Sequence, residues 1–188
     1  INDNGGTKEV ADFPLFVDVT QVVSGVQNGF NAGTYTVSET GIAGYTATIS
    51  GDCNPATGSV TLAVGDVKTC TITNNDQPGT LIVNKIVIND NGGNATANDF
   101  TYQINGDSPV SFEADGSNSQ VVNSGSYTVT EPSVLGYSTS YNNCTRVFVP
   151  NGGSATCIIT NDDIAPTITL NKVVLGGPAS VDSFGLTI

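Results

Sequence analysis

The chain has 188 residues, a formal net charge of −12 and no histidine, methionine or tryptophan. With five basic residues against 17 acidic ones, the composition argues against nucleic acid as a partner and is explained by solubility. No apolar run approaches the roughly 20 residues that a membrane-spanning helix needs, so we expect no membrane span. Neither an initiator methionine nor a signal peptide is present, so we expect a mature or excised segment with room for two small domains.

An internal repeat with a period of about 87 residues organises the chain. Residues 1–6 (INDNGG) recur as residues 88–93, and residues 70–74 recur as residues 157–161. The repeat predicts two β-sandwich units and the first strands of a third, at residues 1–79, 80–167 and 168–188. The segment is out of phase with the repeat, because unit one has no counterpart of the lysine-bearing strand that opens the other two.

The predicted elements are nearly all β-strands, which are rich in Val, Ile, Thr and Tyr. Clusters of Gly, Asn, Asp and Pro separate them about every 8 to 12 residues, a spacing typical of a sandwich. No window shows convincing helical periodicity. Residues 33–39 and 125–131 are the clearest strands, since polar and apolar side chains alternate strictly. Their inward faces carry an aromatic residue, a valine and a glutamate: Tyr35, Val37 and Glu39, then Tyr127, Val129 and Glu131.

The same alternation places two further polar residues on inward faces. Lys85 shares parity with Leu81 and Val83 on the first strand of unit two, and Lys172 occupies the matching place in unit three. At the ends of the units, Asn74 and Asn161 share parity with the cysteines at 70 and 157. Half of the lysines and half of the glutamates of the chain therefore occupy repeated, inward positions.

That placement has a chemical consequence. Burial disfavours the ammonium form of lysine, and a neutral amine is a nucleophile. A buried protonated carboxyl group donates a hydrogen bond to an amide oxygen and shuttles protons. An asparagine held between them then loses ammonia to the amine and forms an isopeptide bond without a cofactor. The alternative is a buried Lys–Glu ion pair with Asn as a hydrogen-bond partner. Either arrangement is structural, and neither is a turnover site.

The four cysteines fall in matched pairs, Cys53 with Cys70 and Cys144 with Cys157. No close C-x-x-C knuckle is present, which disfavours a zinc site. We predict one disulfide in each unit, in preference to free buried thiols, and hence an oxidising, extracellular setting.

These residues together resemble the Cna B-type, prealbumin-like repeats of surface adhesins and pilins. The resemblance is carried by Tyr-Thr-Val-[Ser/Thr]-Glu followed by Gly-Tyr, by the inward lysine strand and by the terminal Thr-Asn. It implies tandem Ig-like or transthyretin-like β-sandwiches with a self-formed Lys–Asn isopeptide bond promoted by an acidic residue. The implied sets are Lys85, Glu131 and Asn161 in unit two, and Glu39 and Asn74 with Lys172 or an upstream lysine in unit one. The cysteine pairs depart from the common isopeptide domains, so the disulfide either supplements or replaces that bond.

From these observations we expect a structural repeat of an extracellular filament, pilus-like fibre or surface stalk. The expected partners are copies of itself or adjacent repeats, arranged head to tail. The alternative is an adhesin module that binds a host, matrix or carbohydrate ligand. No histidine, serine-hydrolase motif or convincing metal site supports an enzyme, so we expect no catalytic turnover, no cofactor and no bound metal. Residues 168–188 either donate a strand to a neighbouring chain or open a downstream repeat.

The sequence also contains weaker signals of possible binding or modification sites. The INDNGG stretches resemble fragments of a calcium loop without its bidentate glutamate, so a hairpin turn is the preferred interpretation. Asn94 and Asn143 lie in N-glycosylation sequons. Tyr45 and Tyr137 could form a sugar-stacking surface, although packing in the core or at its rim is the preferred interpretation.

Overall fold

The computed structural model describes residues 1–183 and residue 185, and these residues form an all-β fold. The predicted fold class is thereby confirmed. Helical structure in the described residues is limited to three single turns of 3-10 helix, at Val10–Asp12, Ala97–Asp99 and Val181–Ser183.

The first six strands lie within residues 1–76 and form the first group. They are β1 (Leu15–Val17), β2 (Thr20–Val22), β3 (Gly33–Glu39), β4 (Tyr45–Gly51), β5 (Ser59–Leu62) and β6 (Cys70–Asp76). One sheet has the strand order β2-β1-β3-β5, and β4 pairs with β6 in a separate antiparallel ribbon. The burial of β3 alternates along the strand as its sequence predicts, with Glu39 on the more buried face.

Nine further strands follow and form the second group. They are β7 (Gly79–Ile88), β8 (Thr101–Ile104), β9 (Val110–Ser111), β10 (Ser117–Val122), β11 (Gly125–Tyr127), β12 (Val129–Thr130), β13 (Tyr137–Asn142), β14 (Val147–Val149) and β15 (Ser154–Asp163). One sheet of this group, the long sheet, has the strand order β10-β7-β15-β13. Two shorter sheets have the orders β12-β8-β9 and β11-β14. The first and last of these nine strands, β7 and β15, are direct neighbours and run parallel.

The hydrophobic core lies between the long sheet and the shorter ones. Its buried members come from both: Leu81, Val83, Phe100, Tyr102, Phe112, Val129, Cys144, Val147, Val149, Cys157 and Ile159. Apolar side chains of two sheets that face each other in this way define a β-sandwich.

Residues 1–76 contain part of the same arrangement. The ribbon of β4 and β6 pairs Tyr45 with Asp76, just as β13 and β15 pair Tyr137 with Asp163. On its other edge β15 carries β7, whereas the described residues place no strand along the corresponding edge of β6. The buried hydrophobic residues found there are correspondingly few: Phe13, Cys53 and Val60.

Residues 168–175, predicted to be a strand, lie outside the strands of the described chain. Several of their apolar side chains are exposed, for example Ile168 at 74% and Leu175 at 91%. The end of the predicted third unit, Phe184 and residues 186–188, lies outside the described residues.

The hairpin interpretation of the INDNGG stretches is wrong. After β7, residues 89–93 lead from the long sheet to β8, and β7 pairs with β10 and β15 instead of β8. The loop is a crossover between the two layers, because the strands that it joins belong to different sheets.

Both predicted disulfides are present. Cys53 is bonded to Cys70 with a Cα–Cα distance of 5.3 Å, and Cys144 to Cys157 with a Cα–Cα distance of 4.6 Å. Each ties the last strand of its group, β6 or β15, to the loop that follows β4 or β13. Both cysteines of the second pair are buried in the main core.

Replacing both Cys144 and Cys157 with alanine should lower the free energy of unfolding by about 3 kcal/mol, since the bridge closes a short loop in the unfolded chain. Denaturant titration of wild type and variant, each with and without reductant, measures the difference. Reductant should destabilise the wild type and also a Cys53/Cys70 double-alanine variant, which keeps the second bridge. Equal stability of the oxidised wild type and the Cys144/Cys157 variant would contradict the prediction.

Candidate functional site

The fold brings together the three polar residues predicted for the second group of strands. Lys85 lies on β7, Asn161 on β15, and Glu131 directly after β12 on the opposite layer. The Lys85 Nζ donates hydrogen bonds to Glu131 Oε2 and to Asn161 Oδ1. The parallel register pairs Ile159 with Lys85, so Asn161, two residues further on, presents its side chain on the same face of the sheet.

The site is sealed from water. The side chains of Lys85 and Glu131 have no solvent-accessible area, and Asn161 is fully buried. The ring of Phe100 lies under the amine, with Nζ 4.1 Å from its centroid, and Phe112 lies at 5.4 Å. These aromatic faces attract a cation weakly, but they do not replace the water that an ammonium loses.

Burial lowers the pKa of the Lys85 ammonium below its ordinary value of 10.5. The hydrogen bond and the negative charge of Glu131 raise that pKa again, and burial is the larger of these influences. The environment thus favours the neutral, nucleophilic amine beside the carboxamide of Asn161.

Thr139 on β13 completes the site, and the sequence analysis missed it. Asn161 Nδ2 donates to Thr139 Oγ1 at 3.2 Å, and that hydroxyl donates to Glu131 Oε1 at 3.4 Å. A continuous hydrogen-bonded path therefore joins the carboxylate to the amide nitrogen. Thr139 pairs directly with Asn161 across the two strands. Its parity with Tyr137 was a usable signal once β13 was recognised as a strand.

The matching glutamate and asparagine of the first group also lie together. Asn74 Nδ2 donates directly to Glu39 Oε2 at 2.9 Å. Ala47 occupies the place opposite Asn74 that Thr139 has opposite Asn161. Glu39 Oε1 is buried and has no hydrogen-bond partner among the described residues. Lys172 belongs to the segment that follows β15.

A second buried carboxylate recurs two residues beyond each asparagine. Asp163 accepts hydrogen bonds from the backbone N–H groups of Asp90, Asn91 and Gly93, at 2.6–3.0 Å. A Cβ added to Gly93 would lie 2.5 Å from the Tyr137 hydroxyl, so a larger residue does not fit. Asp76 anchors residues 3–6 in the same way. The INDNGG stretches are therefore loops wrapped around an aspartate.

The sequence contained a signal for these aspartates, because their parity matches that of the inward asparagines. Burial tends to raise the pKa of Asp163, but the backbone hydrogen bonds from Gly93, Asn91 and Asp90 together hold it below its ordinary value of 3.8. The carboxylates of Asp90, Asp162 and Asp163 lie within 4.8 Å of one another. We assign Asp163 to loop anchoring, because the N–H groups that point at its oxygens would repel a cation.

The remaining predicted positions lie away from the site. Asn94 is exposed, and Asn143 is exposed while its Nδ2 donates to the Thr156 carbonyl at 2.8 Å. Tyr45 and Tyr137 pack edge-on against Phe13 and Phe100, with ring centroids 5.3 Å apart in each pair, which confirms the packing interpretation. Within the described residues, no helix is long and apolar enough to cross a bilayer.

Comparison with known proteins identifies the family. The family model described as a prealbumin-like fold domain matches residues 1–72 and 76–168. The chain belongs to this family. The match spans both groups of strands and includes Lys85, Glu131, Thr139 and Asn161, whereas Asn74 lies in the gap between the two matched ranges. A search of curated protein sequences finds no match.

Solved structures give weaker similarities. The chain is 12% identical to the minor pilin GBS52 of Streptococcus agalactiae, over 86% of this chain and 85% of that one, with a TM-score of 0.38. It is 17% identical to the T-13 major pilin of Streptococcus pyogenes, over 74% and 69% respectively, with a TM-score of 0.35. Against the Bacillus anthracis TIE protein the values are 15% identity and a TM-score of 0.35. That match covers 85% of this chain but only 42% of the TIE chain. None of these similarities is strong enough to carry an argument about function.

Replacing Asp163 with asparagine should destabilise the protein at neutral pH, because the amide supplies one acceptor oxygen where the carboxylate supplies two. The carboxylate has a lowered pKa in the folded state, so its stabilisation is fully present above about pH 3.8 and is lost as the pH falls through the folded-state pKa. The stability difference between wild type and Asp163→Asn should therefore shrink in acid.

Chemical denaturation at a series of pH values measures this difference. Asp107→Asn, which removes the same charge from an exposed position, is the matched control and should have little effect at any pH. An Asp163→Asn variant as stable as the wild type at neutral pH would contradict the anchoring role.

Proposed function

We propose that this chain is a structural unit of an extracellular fibre, in which an isopeptide bond between Lys85 and Asn161 joins the first and last strands of a β-sandwich. The observation that carries the proposal is the buried contact of Lys85 Nζ with both Glu131 and Asn161. Because Oδ1 is bonded to Cγ, this contact also holds the amine beside the carbon that it would attack.

The chemistry needs only the residues present. A proton passes from the Lys85 ammonium to Glu131, which leaves a neutral amine and a carboxylic acid. The amine attacks Asn161 Cγ, the Nζ–Cγ bond forms, the Cγ–Nδ2 bond breaks and ammonia leaves. Glu131 gives its proton to the leaving nitrogen and takes up the second proton of the amine, so an amine and a carboxamide become a secondary amide and ammonia while Glu131 ends protonated.

Thr139 supports departure of the ammonia. The leaving nitrogen donates to Thr139 Oγ1, and this hydroxyl donates to Glu131. Reversal of these two hydrogen bonds delivers a proton from the protonated Glu131 through the hydroxyl to Nδ2. Glu131 thus serves both ends of the reaction, accepting the proton from the nucleophile and returning it to the leaving group.

The position of the bond suits a protein under tension. The strands β7 and β15 lie side by side and parallel, so a bond between them connects the entry and exit of the sandwich directly. Lys85 and Asn161 are 76 positions apart, and the bond closes the segment that joins them into a loop. By loop-entropy arithmetic such a closure stabilises the fold by roughly 4 to 5 kcal/mol. The two disulfides support an oxidising, extracellular location.

The bond predicts a change of mass. Reduced, denatured monomer should be lighter than its sequence mass by about 17 Da, because the reaction expels one ammonia. Intact-mass spectrometry should show the full sequence mass for Lys85→Arg, Glu131→Ala and Asn161→Ala. Thr139→Val should form the bond more slowly, because the proton path to Nδ2 is interrupted.

Glu39→Ala is the matched control, since it removes the equivalent carboxylate from the site without a lysine. Its monomer should retain the loss of about 17 Da that bond formation in the second group causes. A wild-type monomer with the full sequence mass, after long incubation at mildly alkaline pH, would refute the proposed bond.

Tension applied at the two ends of the chain gives an independent test. In the wild type, residues between positions 85 and 161 should not contribute to the extension, because the bond carries the force past them. Under reducing conditions Glu131→Ala should lengthen by roughly 25 nm more than the wild type in a single-molecule pulling experiment, the contour length of the released segment. Equal extensions would show that no covalent bond spans the segment.

A further inference from the structure

The carboxylate of Glu131 reaches the site from a short strand. β12 is the edge strand of the β12-β8-β9 sheet, and it pairs with β8 only through Val129 and Thr130. Glu131 directly follows β12, whereas Lys85 and Asn161 lie on the opposite layer, in the long sheet. The position of the carboxylate therefore depends on contacts that hold β12 against the strands of that sheet.

The disulfide between Cys144 and Cys157 provides the first of these contacts. The Val129 N–H donates a hydrogen bond to the Cys144 carbonyl at 2.8 Å. Cys144 is bonded to Cys157, which precedes Asn161 on β15, and both of these β15 side chains are buried. The bridge therefore connects the strand that carries the asparagine to the strand that precedes Glu131, through a covalent bond and a main-chain hydrogen bond.

The hydroxyl of Tyr141 provides the second contact. The Glu131 N–H donates to the Tyr141 hydroxyl oxygen at 3.1 Å, and Tyr141 lies on β13, the neighbour of β15. The same strand carries Thr139, whose hydroxyl donates to Glu131 Oε1. The ribbon of β13 and β15, which the disulfide closes at one end, therefore holds both the backbone and the carboxylate of Glu131.

The described residues of the first group have a different arrangement around their glutamate. Ile49 occupies the place on β4 that Tyr141 has on β13, and its side chain has no hydroxyl. The Val37 N–H, which matches that of Val129, donates to the Gly58 carbonyl at 2.9 Å. The connection between a disulfide and the catalytic carboxylate is therefore a particular feature of the second group.

We infer that the Cys144–Cys157 bridge and Tyr141 position Glu131, so that the bond between Lys85 and Asn161 forms after the bridge and not before it. This inference rests on the proposed function and adds the order of the two cross-links. Two thiols exchange with a low-molecular-weight disulfide to give the bridge and two reagent thiols. The amine and the carboxamide then form the amide and release ammonia, as described above. The isopeptide bond would thus form in the compartment where disulfides form.

The order follows from the geometry that proton transfer requires. A general acid or base acts only within hydrogen-bond reach of the atoms that it serves. Without the bridge, the loop after β13 is held to β15 by hydrogen bonds that exchange with water, such as that from Asn143 Nδ2 to the Thr156 carbonyl. Movement of this loop carries the partner of Val129 with it, and a displacement of about 1 Å slows such a reaction by as much as a hundredfold.

The test follows the full chain during cell-free synthesis, so that it is observed before either cross-link has formed. The chain carries Cys53→Ala and Cys70→Ala, which leaves a single bridge to score. Synthesis runs in a reducing buffer or in a glutathione redox buffer, and each sample is treated with a thiol-blocking reagent before intact-mass spectrometry.

In the glutathione buffer, the loss of about 17 Da should appear only in molecules that the thiol-blocking reagent leaves unlabelled. In the reducing buffer, the mass loss should be slower by at least about tenfold, because Glu131 is misplaced. Oxidised glutathione added later to the reduced chain should restore the faster rate. A Cys144→Ala/Cys157→Ala variant should be slow in both buffers.

Tyr141→Phe keeps the inference testable even where the reduced chain folds poorly, since this variant retains the aromatic ring and both disulfides. In the glutathione buffer, it should slow the mass loss by at least about tenfold, because the Glu131 N–H loses its partner. Tyr127→Phe is the matched control. It removes a hydroxyl that donates to the Asn123 carbonyl at 2.7 Å and should leave the rate unchanged.

The outcomes separate this inference from the proposed function. Mass loss at equal rates in the two buffers would overturn the inference and leave the proposed bond in place. Equal rates for Tyr141→Phe and Tyr127→Phe would do the same. Absence of the mass loss from every chain, the oxidised wild type included, would refute the proposed function and the inference with it.

Discussion

The structure depends on how a lysine amine is kept out of water. Lys85 lies between two phenylalanine rings, a carboxylate and a carboxamide, and its side chain has no accessible surface. The lost hydration of such an ion pair commonly exceeds the attraction between its charges, so the pair by itself is a weak source of stability. The proposed conversion of amine and carboxamide into an amide would remove the charged groups from the interior and would leave a covalent bond between β7 and β15. The same burial that makes the pair unfavourable also lowers the pKa of the Lys85 ammonium, which favours the nucleophilic form.

The two groups of strands allow the complete site to be compared with an incomplete one. Where β7 is present, the sandwich has a continuous core and a complete set of partners for Lys85, Glu131 and Asn161. In the first group, where the described residues place no such strand, the buried core is small and one oxygen of Glu39 has no hydrogen-bond partner among those residues. The lysine-bearing strand therefore contributes three things together: an edge for pairing, an apolar face for the core and the amine for the site.

Strand periodicity was sufficient to predict the lysine, glutamate and asparagine positions, because a period of two assigns each side chain to a face. The internal repeat was sufficient to predict both disulfides. Strand periodicity did not predict Thr139, whose role depends on which strand lies beside β15, a fact of topology that one strand's pattern does not contain. The hairpin interpretation of residues 89–93 was wrong for a related reason. A turn-rich sequence shows that the chain leaves a strand. Which strand the chain enters next depends here on the buried carboxylate of Asp163, which anchors the loop.

Peptide sequencing by tandem mass spectrometry after proteolysis tests the proposed bond between Lys85 and Asn161 most directly. We expect one branched peptide in which Lys85 Nζ is joined to Asn161 Cγ, with no cleavage by trypsin after Lys85. Separate linear peptides, with unmodified Lys85 in one and unmodified Asn161 in the other, would contradict it and leave the site as a buried ion pair.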